Sequence, residues 1–208
     1  MLDQILKASC QGITLIEEEI GSVSPILTRQ IGTYGVAIGK KVCFLTLSEE
    51  KSETAQQREM IGIRVGAARD ARGSDLVDES AIALKSDSGL LNLEDLEFDL
   101  IVFEFFSSHI FDKTDGELIE MLGEMRRLAS QGRSFVLTSE GQIISPKANA
   151  YIRAIADNII IIKTELARDK IDRLLYIPKM KGIRPMDKLV KFTLSENGIE
   201  IDTREFVG

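Results

Sequence analysis

Three consecutive carboxylates follow an apolar run near the start of the chain. Glu17, Glu18 and Glu19 come directly after the letters GITLI, a stretch typical of a buried strand, and a helical pattern begins near Ser24. A strand, a short loop and a helix are the elements with which many α/β proteins bind phosphate, because the first amides of a helix lack partners and favour an anion. Carboxylates are unexpected at this position, since they repel phosphate.

The loop after this strand does not carry the residues of a phosphate-binding P-loop, which follows the pattern G-x-x-x-x-G-K-[ST]. Laid on the chain, the pattern puts Glu18 at the first glycine and Gly21 within the loop. Val23, Ser24 and Pro25 then stand at the second glycine, the lysine and the magnesium-binding hydroxyl. Since proline is well tolerated in the first turn of a helix, the pattern predicts the architecture of the motif without its phosphate-binding chemistry.

The composition predicts one soluble globular domain, residues 1–208. A net charge of −7 opposes general binding to nucleic acid or acidic membranes, although a local basic patch is compatible with it. Cys10 and Cys43 are too few for a disulfide framework or a zinc site, and Cys43 lies in an apolar run that predicts a buried thiol. We expect a cytoplasmic protein with no membrane insertion, because no apolar run is long enough to cross a bilayer.

Strand-like and helix-like patterns alternate along most of the chain, which predicts an α/β fold with a largely parallel sheet. Predicted strands cover residues 12–17, 41–48, 80–84, 98–106, 134–140 and 158–166, and predicted helices lie near residues 24–38, 52–61, 115–130 and 146–156. The helix 115–130 has an apolar face formed by Leu118, Ile119, Leu122, Met125 and Leu128. After residue 158 the pattern changes to consecutive strands, with a tight turn at residues 196–198, so antiparallel strands are predicted at the C-terminal end.

Over nearly its whole length the chain resembles the KaiC-like members of the RecA/RadA superfamily of P-loop ATPases. The stretches that carry the resemblance are GITLIE, GKKVCFLTLSEEKSE, FDLIVFEFFSS, VLTSE and the tail ADNIIIIK…LYIPKMKGIR…FTLSENGIEI. It implies a RecA-like sheet flanked by helices. A narrower resemblance is to the FlaH family of archaeal swimming-filament accessory proteins, in which the letters LIE also precede the loop. FlaH proteins carry an intact Walker motif, whereas this chain does not.

The resemblance implies a role for basic residues near the C-terminal end. In the family a K-[ML]-[RK]-G motif reaches across a subunit boundary to the neighbour's triphosphate, typically in a hexameric ring. Lys179 and Lys181 occupy the basic positions of that motif, with Arg184 close by. Residues 163–191 contain nine Lys or Arg against four Asp or Glu. The alternative is that these charges solvate an exposed strand, a common protection against aggregation.

Two acidic residues stand at positions where the resemblance implies catalytic roles. The family's catalytic Glu pair aligns with Ser48 and Glu49, and its Walker B Asp aligns with Glu104, followed by Phe105 instead of Ser. Glu104 could hold magnesium through water, but its side chain is one methylene longer than that of Asp. A carboxylate after a strand is usually a solvated loop acid, and this interpretation is favoured for Glu49.

The other chemistry-bearing residues are interpreted without a site. His109, the single histidine, is predicted to be a polar loop residue, and Glu17 to Glu19 are predicted to be solvated acids because neighbouring strand residues alternate faces. If assembly does bring a neighbour's lysine to Glu18, an ion pair between subunits would replace the nucleotide contact.

These interpretations leave three functional hypotheses. The first is a non-catalytic RecA-like subunit without cofactor, which assembles with itself or with an active KaiC-like ATPase. The second is an ATP-binding protein or ATPase that uses ATP and magnesium through an unorthodox loop. The third is a DNA-repair accessory of the RadA-paralogue type that binds nucleic acid through its basic strand.

Overall fold

The structure is a computed structural model that describes residues 1–19, 23–45, 62–64, 81–83, 93–140, 143–167, 170–182, 188–195 and 198–201. Five α-helices lie in these ranges: α1 (Leu2–Ser9), α2 (Ser24–Ala37), α3 (Phe106–His109), α4 (Asp115–Ser130) and α5 (Pro146–Ile155). A short 3-10 helix covers Leu93–Asp95. Ten strands lie there too: β1 (Gly12–Glu18), β2 (Val42–Leu45), β3 (Gly62–Arg64), β4 (Ala81–Ala83), β5 (Leu100–Phe103), β6 (Ser134–Glu140), β7 (Asn158–Ala167), β8 (Lys170–Lys179), β9 (Val190–Ser195) and β10 (Gly198–Ile201). The predicted helix 52–61 falls outside the described residues.

All ten strands form one sheet in the order β10-β9-β8-β7-β1-β6-β5-β2-β3-β4. The five central strands, from β7 to β2, run parallel. Strands β8, β9 and β10 continue the sheet in antiparallel fashion on one side, as predicted for the C-terminal end. Strands β3 and β4 also pair antiparallel on the other side, which the sequence patterns did not predict.

Both faces of the parallel strands are covered, as their continuous apolar runs predict. Every residue of β2 and β5, VCFL and LIVF, is buried. One face packs against α1 and α2 and the other against α4 and α5, which gives two hydrophobic clusters separated by the sheet. The predicted burial of Cys43 is confirmed, and burial raises the pKa of its thiol to about 12.

Helix α4 begins and ends where its sequence predicts. Thr114 and Glu117 form a reciprocal capping box at its first turn, in which Glu117 also accepts from the Thr114 hydroxyl. The predicted apolar face is wrong at one position. Ile119 is 50% exposed, and Met121, which was not assigned to that face, is buried. Met121 lies three residues after Leu118, so it returns to the buried side of the helix, whereas Ile119 is rotated away from it.

The strand predicted over residues 98–106 is shorter in the structure, because β5 ends at Phe103 and a helical turn follows. Phe105 adopts the left-handed conformation, with φ 58° and ψ 42°, and its N–H donates to Thr138 Oγ1 at 2.7 Å. Phe106 is fully buried and packs edge to face on Phe103, with 5.6 Å between ring centroids. An apolar run can thus be buried by turning into the core as well as by continuing a strand.

The parallel strands define two edges of the sheet that carry different residues. We call the ends of β1, β5 and β6, with Glu18, Glu104 and Glu140, the carboxyl edge. We call the starts of β1 and β6, with Gly12 and Ser134, the amino edge. Helix α2 runs back from the carboxyl edge to the amino edge. Its first residue, Ser24, contacts Glu18 at the carboxyl edge, whereas Lys40, just beyond its last residue, contacts Ser134 at the amino edge.

Candidate functional site

The carboxylate of Glu18 lies at the beginning of helix α2. Its Oε1 accepts from the backbone N–H of Val23 at 3.0 Å, and its Oε2 accepts from the N–H of Ser24 at 2.8 Å and from that of Val23 at 3.3 Å. The residue is 3% exposed. The prediction that Glu18 is a solvated acid is therefore wrong, since its position at the end of β1 lets the side chain turn inward under α2.

This contact satisfies the groups that a phosphate would bind in a P-loop. The first N–H groups of a helix lack partners within the helix and carry the positive end of its dipole. No side-chain cap is present at Val23, the residue that precedes α2. The Glu18 carboxylate supplies the missing acceptor from within the chain, in charge-assisted hydrogen bonds stronger than those between neutral groups.

The other aligned residues of the loop show how the helix tolerates the loss of the motif. Pro25 lies in the first turn of α2, where its missing N–H has no cost, as the sequence predicts. Ser24 is buried at the position aligned with the P-loop lysine. Gly21 lies outside the described residues.

Glu104, at the position aligned with the Walker B Asp, is bonded to a threonine of α2. Its Oε1 lies 3.2 Å from the Oγ1 of Thr28, which also lies 3.0 Å from the carbonyl oxygen of Pro25. Burial raises the pKa of Glu104, while the Thr28 hydroxyl and the charge of Arg29 act in the opposite direction. The Thr28 hydroxyl thus lies within hydrogen-bonding distance of two acceptors, the Glu104 carboxylate and the Pro25 carbonyl, and has one hydrogen to share between them.

Thr28 and Thr138 were not singled out in the sequence. Thr28 lies one helical turn beyond the position aligned with the magnesium-binding hydroxyl, and this i+3 spacing was the available signal. Thr138 holds the left-handed Phe105 next to Glu104, because its hydroxyl accepts from the Phe105 N–H and donates to the Phe103 carbonyl at 3.3 Å. No motif in the sequence indicates that second role.

Glu17 points to the opposite face of the sheet from Glu18, as strand alternation predicts. Its carboxylate lies 3.6 Å from Arg153 Nε of α5, and its side chain is 13% exposed. Glu19 is exposed. Only Glu19 therefore fits the prediction of solvated acids, and the three carboxylates do not converge on one point.

His109 is not the polar loop residue that the sequence predicts. It ends helix α3 and packs edge to face on Phe103, with 5.9 Å between ring centroids. Burial lowers the pKa of His109, and the nearby charge of Lys113 acts in the same direction. The turn of residues 106–109 into the core explains this burial.

The two basic residues of the C-terminal motif lie at the amino edge. Lys179 pairs with Ile159 near the start of β7, whereas Glu18 pairs with Ile162 near the other end of the same paired segment. The Nζ of Lys179 donates to the carbonyl of Ala156, and the backbone N–H of Lys181 donates to Asn158 Oδ1 at 2.9 Å. Neither lysine belongs to the Glu18 site of its own chain.

Two of the candidate site residues, Glu49 and Arg184, fall outside the described residues. Within the described ranges, no group of three or more His, Cys, Asp or Glu side chains is arranged to hold a metal ion. In those same ranges, no helix is long and apolar enough to span a membrane.

The parallel centre, the antiparallel C-terminal strands and the helices on both faces define a RecA-like α/β fold, which confirms the predicted fold class. The structure is similar to that of KaiC-like protein PH0186 from Pyrococcus horikoshii OT3, with a TM-score of 0.61 and 18% identity over 91% of this chain and 89% of that one. It is also similar to the flagellar accessory protein FlaH from Methanocaldococcus jannaschii, with a TM-score of 0.63 and 12% identity over 92% and 89% of the two chains. No protein-family model and no curated protein matches the sequence. At these identities the similarities show the fold.

Proposed function

We propose that this chain is a non-catalytic RecA-like subunit with an assembly or regulatory role, and that it does not hydrolyse ATP. The observation that carries the proposal is the Glu18 carboxylate bonded to the amides of Val23 and Ser24. In a RecA-like ATPase those amides are expected to hold phosphate. Here the chain supplies its own anion.

The electrostatics of this arrangement disfavour nucleotide. A phosphate that enters beside Glu18 meets a like charge, which at 4 Å costs about 1 kcal/mol in water and about 4 kcal/mol at an effective dielectric of 20. If Glu18 leaves instead, its hydrogen bonds to two helix amides are lost. Ser24 and Pro25 supply neither a cationic side chain nor a magnesium-binding hydroxyl at the aligned positions that would offset these costs.

The assembly role extends the proposal to the basic motif. Lys179 and Lys181 lie at the amino edge, away from the loop of their own chain, so any contact with a triphosphate would be to a neighbour's. The subunit would assemble with itself or with a KaiC-like ATPase. An accessory role of this kind is in keeping with the name of the structurally similar FlaH protein. The burial of Glu18 and its hydrogen bonds within its own chain argue against an ion pair with a neighbour's lysine.

Titration calorimetry with magnesium-ATP tests the proposal directly. The wild-type chain is expected to give no binding at millimolar nucleotide and no phosphate release. Glu18→Gly empties the amide site, and Glu19→Gln is the matched control because it removes an exposed charge from the adjacent position. Nucleotide binding by the wild type that Glu19→Gln leaves unchanged would overturn the proposal. For the assembly role, light scattering with candidate KaiC-like ATPases is expected to detect a complex.

A second candidate function is ATP binding through an unorthodox loop, which the Thr28–Glu104 pair favours. A hydroxyl and a carboxylate, the groups that bind magnesium in P-loop ATPases, lie 3.2 Å apart between α2 and the end of β5. Under this candidate, magnesium-ATP binds the wild type and Glu104→Gln weakens binding. A wild-type chain that does not bind magnesium-ATP excludes it and leaves the first proposal standing.

A further inference from the structure

The amino edge of the sheet contains a cavity of about 480 Å³ that the candidate site does not use. It lies between the end of α1, the end of α2, the segment that joins α4 to β6 and the residues that follow β8. Small-molecule sites in proteins commonly have volumes of about 300 to 1,000 Å³. The cavity is therefore large enough for a metabolite.

Four cationic side chains line this cavity, in a chain whose net charge is −7. They are Lys7, Lys40, Arg133 and Lys181. No Asp or Glu is among the described residues of the lining, and within the described part of the chain no carboxylate forms an ion pair with any of the four. The nearby Asp157 interacts electrostatically with Lys181, but its ion pair is with Arg126.

The cations in the cavity wall are held in place by neutral groups. Lys40 Nζ donates to Ser134 Oγ at 3.1 Å, and Ser134 Oγ donates in turn to the carbonyl of Cys10 at 2.7 Å. Arg133 donates from Nη1 to the carbonyl of Leu93 at 2.6 Å. A lysine ammonium has three N–H donors, so Lys40 keeps two donors and its full charge for a ligand.

Helix termini explain part of this charge but not all of it. Lys7 lies in the last turn of α1, Lys40 follows α2, and Arg133 follows α4, so each can complement the negative end of a helix dipole. That dipole is equivalent to about half a unit charge per helix. Lys181 follows a strand. The four charges therefore exceed what the three helix ends require.

We propose that this cavity binds a phosphate-bearing small molecule. Multiply charged phosphate suits a cluster of lysines, which act on it as point charges, together with an arginine. Tyr34 and Ile38 of the α2 side form an apolar part of the lining, so the ligand carries an apolar or aromatic group beside its phosphate. The site lies on the other edge of the sheet from Glu18, so it does not depend on the loss of ATP hydrolysis, although it shares Lys181 with the proposed assembly role.

Titration of the full chain with inorganic pyrophosphate at low salt tests the site. We expect wild-type binding, with about a tenfold loss of affinity in Lys181→Gln, since one cation to a phosphate contributes on this order. Lys41→Gln is the matched control: it removes the same charge from an exposed lysine next to Lys40 that does not line the cavity. It is expected to bind as the wild type does.

A second variant protects the test against unfolding. Lys7→Gln combined with Lys181→Gln changes only exposed side chains, and the melting temperature verifies that the fold is retained. This double variant is expected to bind more weakly than Lys181→Gln. No binding to the wild type at millimolar pyrophosphate would overturn the proposal. It would equally be overturned by a loss in Lys41→Gln as large as in Lys181→Gln, because binding would then follow net charge and not this cavity.

Discussion

The two edges of the parallel sheet place groups of opposite charge next to the helix ends. At the carboxyl edge, the amides that begin α2 are satisfied by one buried carboxylate, Glu18. At the amino edge, the ends of α1, α2 and α4 face a cavity lined by four cations. At the carboxyl edge the helix amides are satisfied by a side chain of the same protein. At the amino edge the cationic side chains line an open cavity, where they can donate to a ligand.

This difference reverses the charge expected of a RecA-like ATPase, in which the carboxyl edge attracts phosphate. A helix N-terminus stabilises any anion, and it does not distinguish a ligand from a side chain. Once the strand before the helix ends in a glutamate long enough to reach the amides, the fold no longer needs a ligand there. The comparison predicts that Glu18 at the carboxyl edge is essential to stability, while the cavity cations at the amino edge contribute little to it.

The largest effect is expected at the carboxyl edge, from Glu18→Ala. The substitution leaves the buried N–H groups of Val23 and Ser24 without their carboxylate, at about 1 to 3 kcal/mol for each unsatisfied group. We expect a loss of about 2 to 6 kcal/mol in the free energy of unfolding, measured with urea. Glu19→Ala is the control, because Glu19 is adjacent and exposed. Equal losses in the two variants would mean that the amides are satisfied in another way.

The elements of the parallel centre were largely predictable from the sequence. Strand β6 and helix α4 match their predicted bounds because a continuous apolar run and a capped amphipathic pattern each fix a local structure. Helix α1 and strand β3 were not predicted. Strand β3 is three residues long, and α1 has eight residues, too few for a decisive period.

The position of the candidate site was predictable from the sequence, but the burial and hydrogen bonding of Glu18 were not. The alignment of Glu18 with the phosphate loop identified the correct place, yet it suggested a solvated acid. Whether a glutamate faces solvent or the amides of the next helix depends on the path of the loop, which local patterns do not encode. The cavity at the amino edge was missed for a related reason: Lys7, Lys40, Arg133 and Lys181 are distant in sequence and converge only through the strand order.

A smaller effect is expected from Asp157→Asn at the amino edge. Burial acts to raise the pKa of Asp157, but the hydrogen bonds from Arg126 Nη1 at 2.8 Å and from the Ile13 N–H at 3.0 Å outweigh it, so the pKa is lowered. A lowered pKa stabilises the fold above the unfolded value of about 4 and loses that contribution as the pH falls through the folded value. We expect Asp157→Asn to cost about 1 kcal/mol at neutral pH.

The pH dependence of this cost is its signature. The gap between wild type and Asp157→Asn should narrow as the pH falls below about 4, since the wild-type carboxyl is then protonated too. Urea unfolding across this range measures it, with the exposed Asp112→Asn as control. If the difference in free energy of unfolding does not change with pH, the contribution of Asp157 does not depend on its charge. Its ion pair with Arg126 would then not stabilise the amino edge.

Glu104→Gln, at the carboxyl edge, is expected to show a pH dependence of the free energy of unfolding opposite to that of Asp157→Asn. Burial raises the pKa of Glu104, so its contribution is fully present below the unfolded value of about 4.3 and is lost as the pH rises through the folded value. The glutamine keeps an acceptor oxygen for the Thr28 hydroxyl and carries no charge. We therefore expect Glu104→Gln to be more stable than the wild type by up to about 1 kcal/mol at high pH, with the gap closing in acid. Glu97→Gln, at an exposed position, should show no such trend.

The smallest effect is expected from Lys181→Gln, and its smallness completes the comparison. The Lys181 side chain is exposed at the cavity, so its removal should change the free energy of unfolding by no more than about 0.5 kcal/mol. Lys179→Gln should cost more, because the Nζ of Lys179 donates to the Ala156 carbonyl. Urea unfolding of both variants decides between them. If Lys181→Gln proves the more damaging of the two, the cation holds the fold together and is not kept for a ligand.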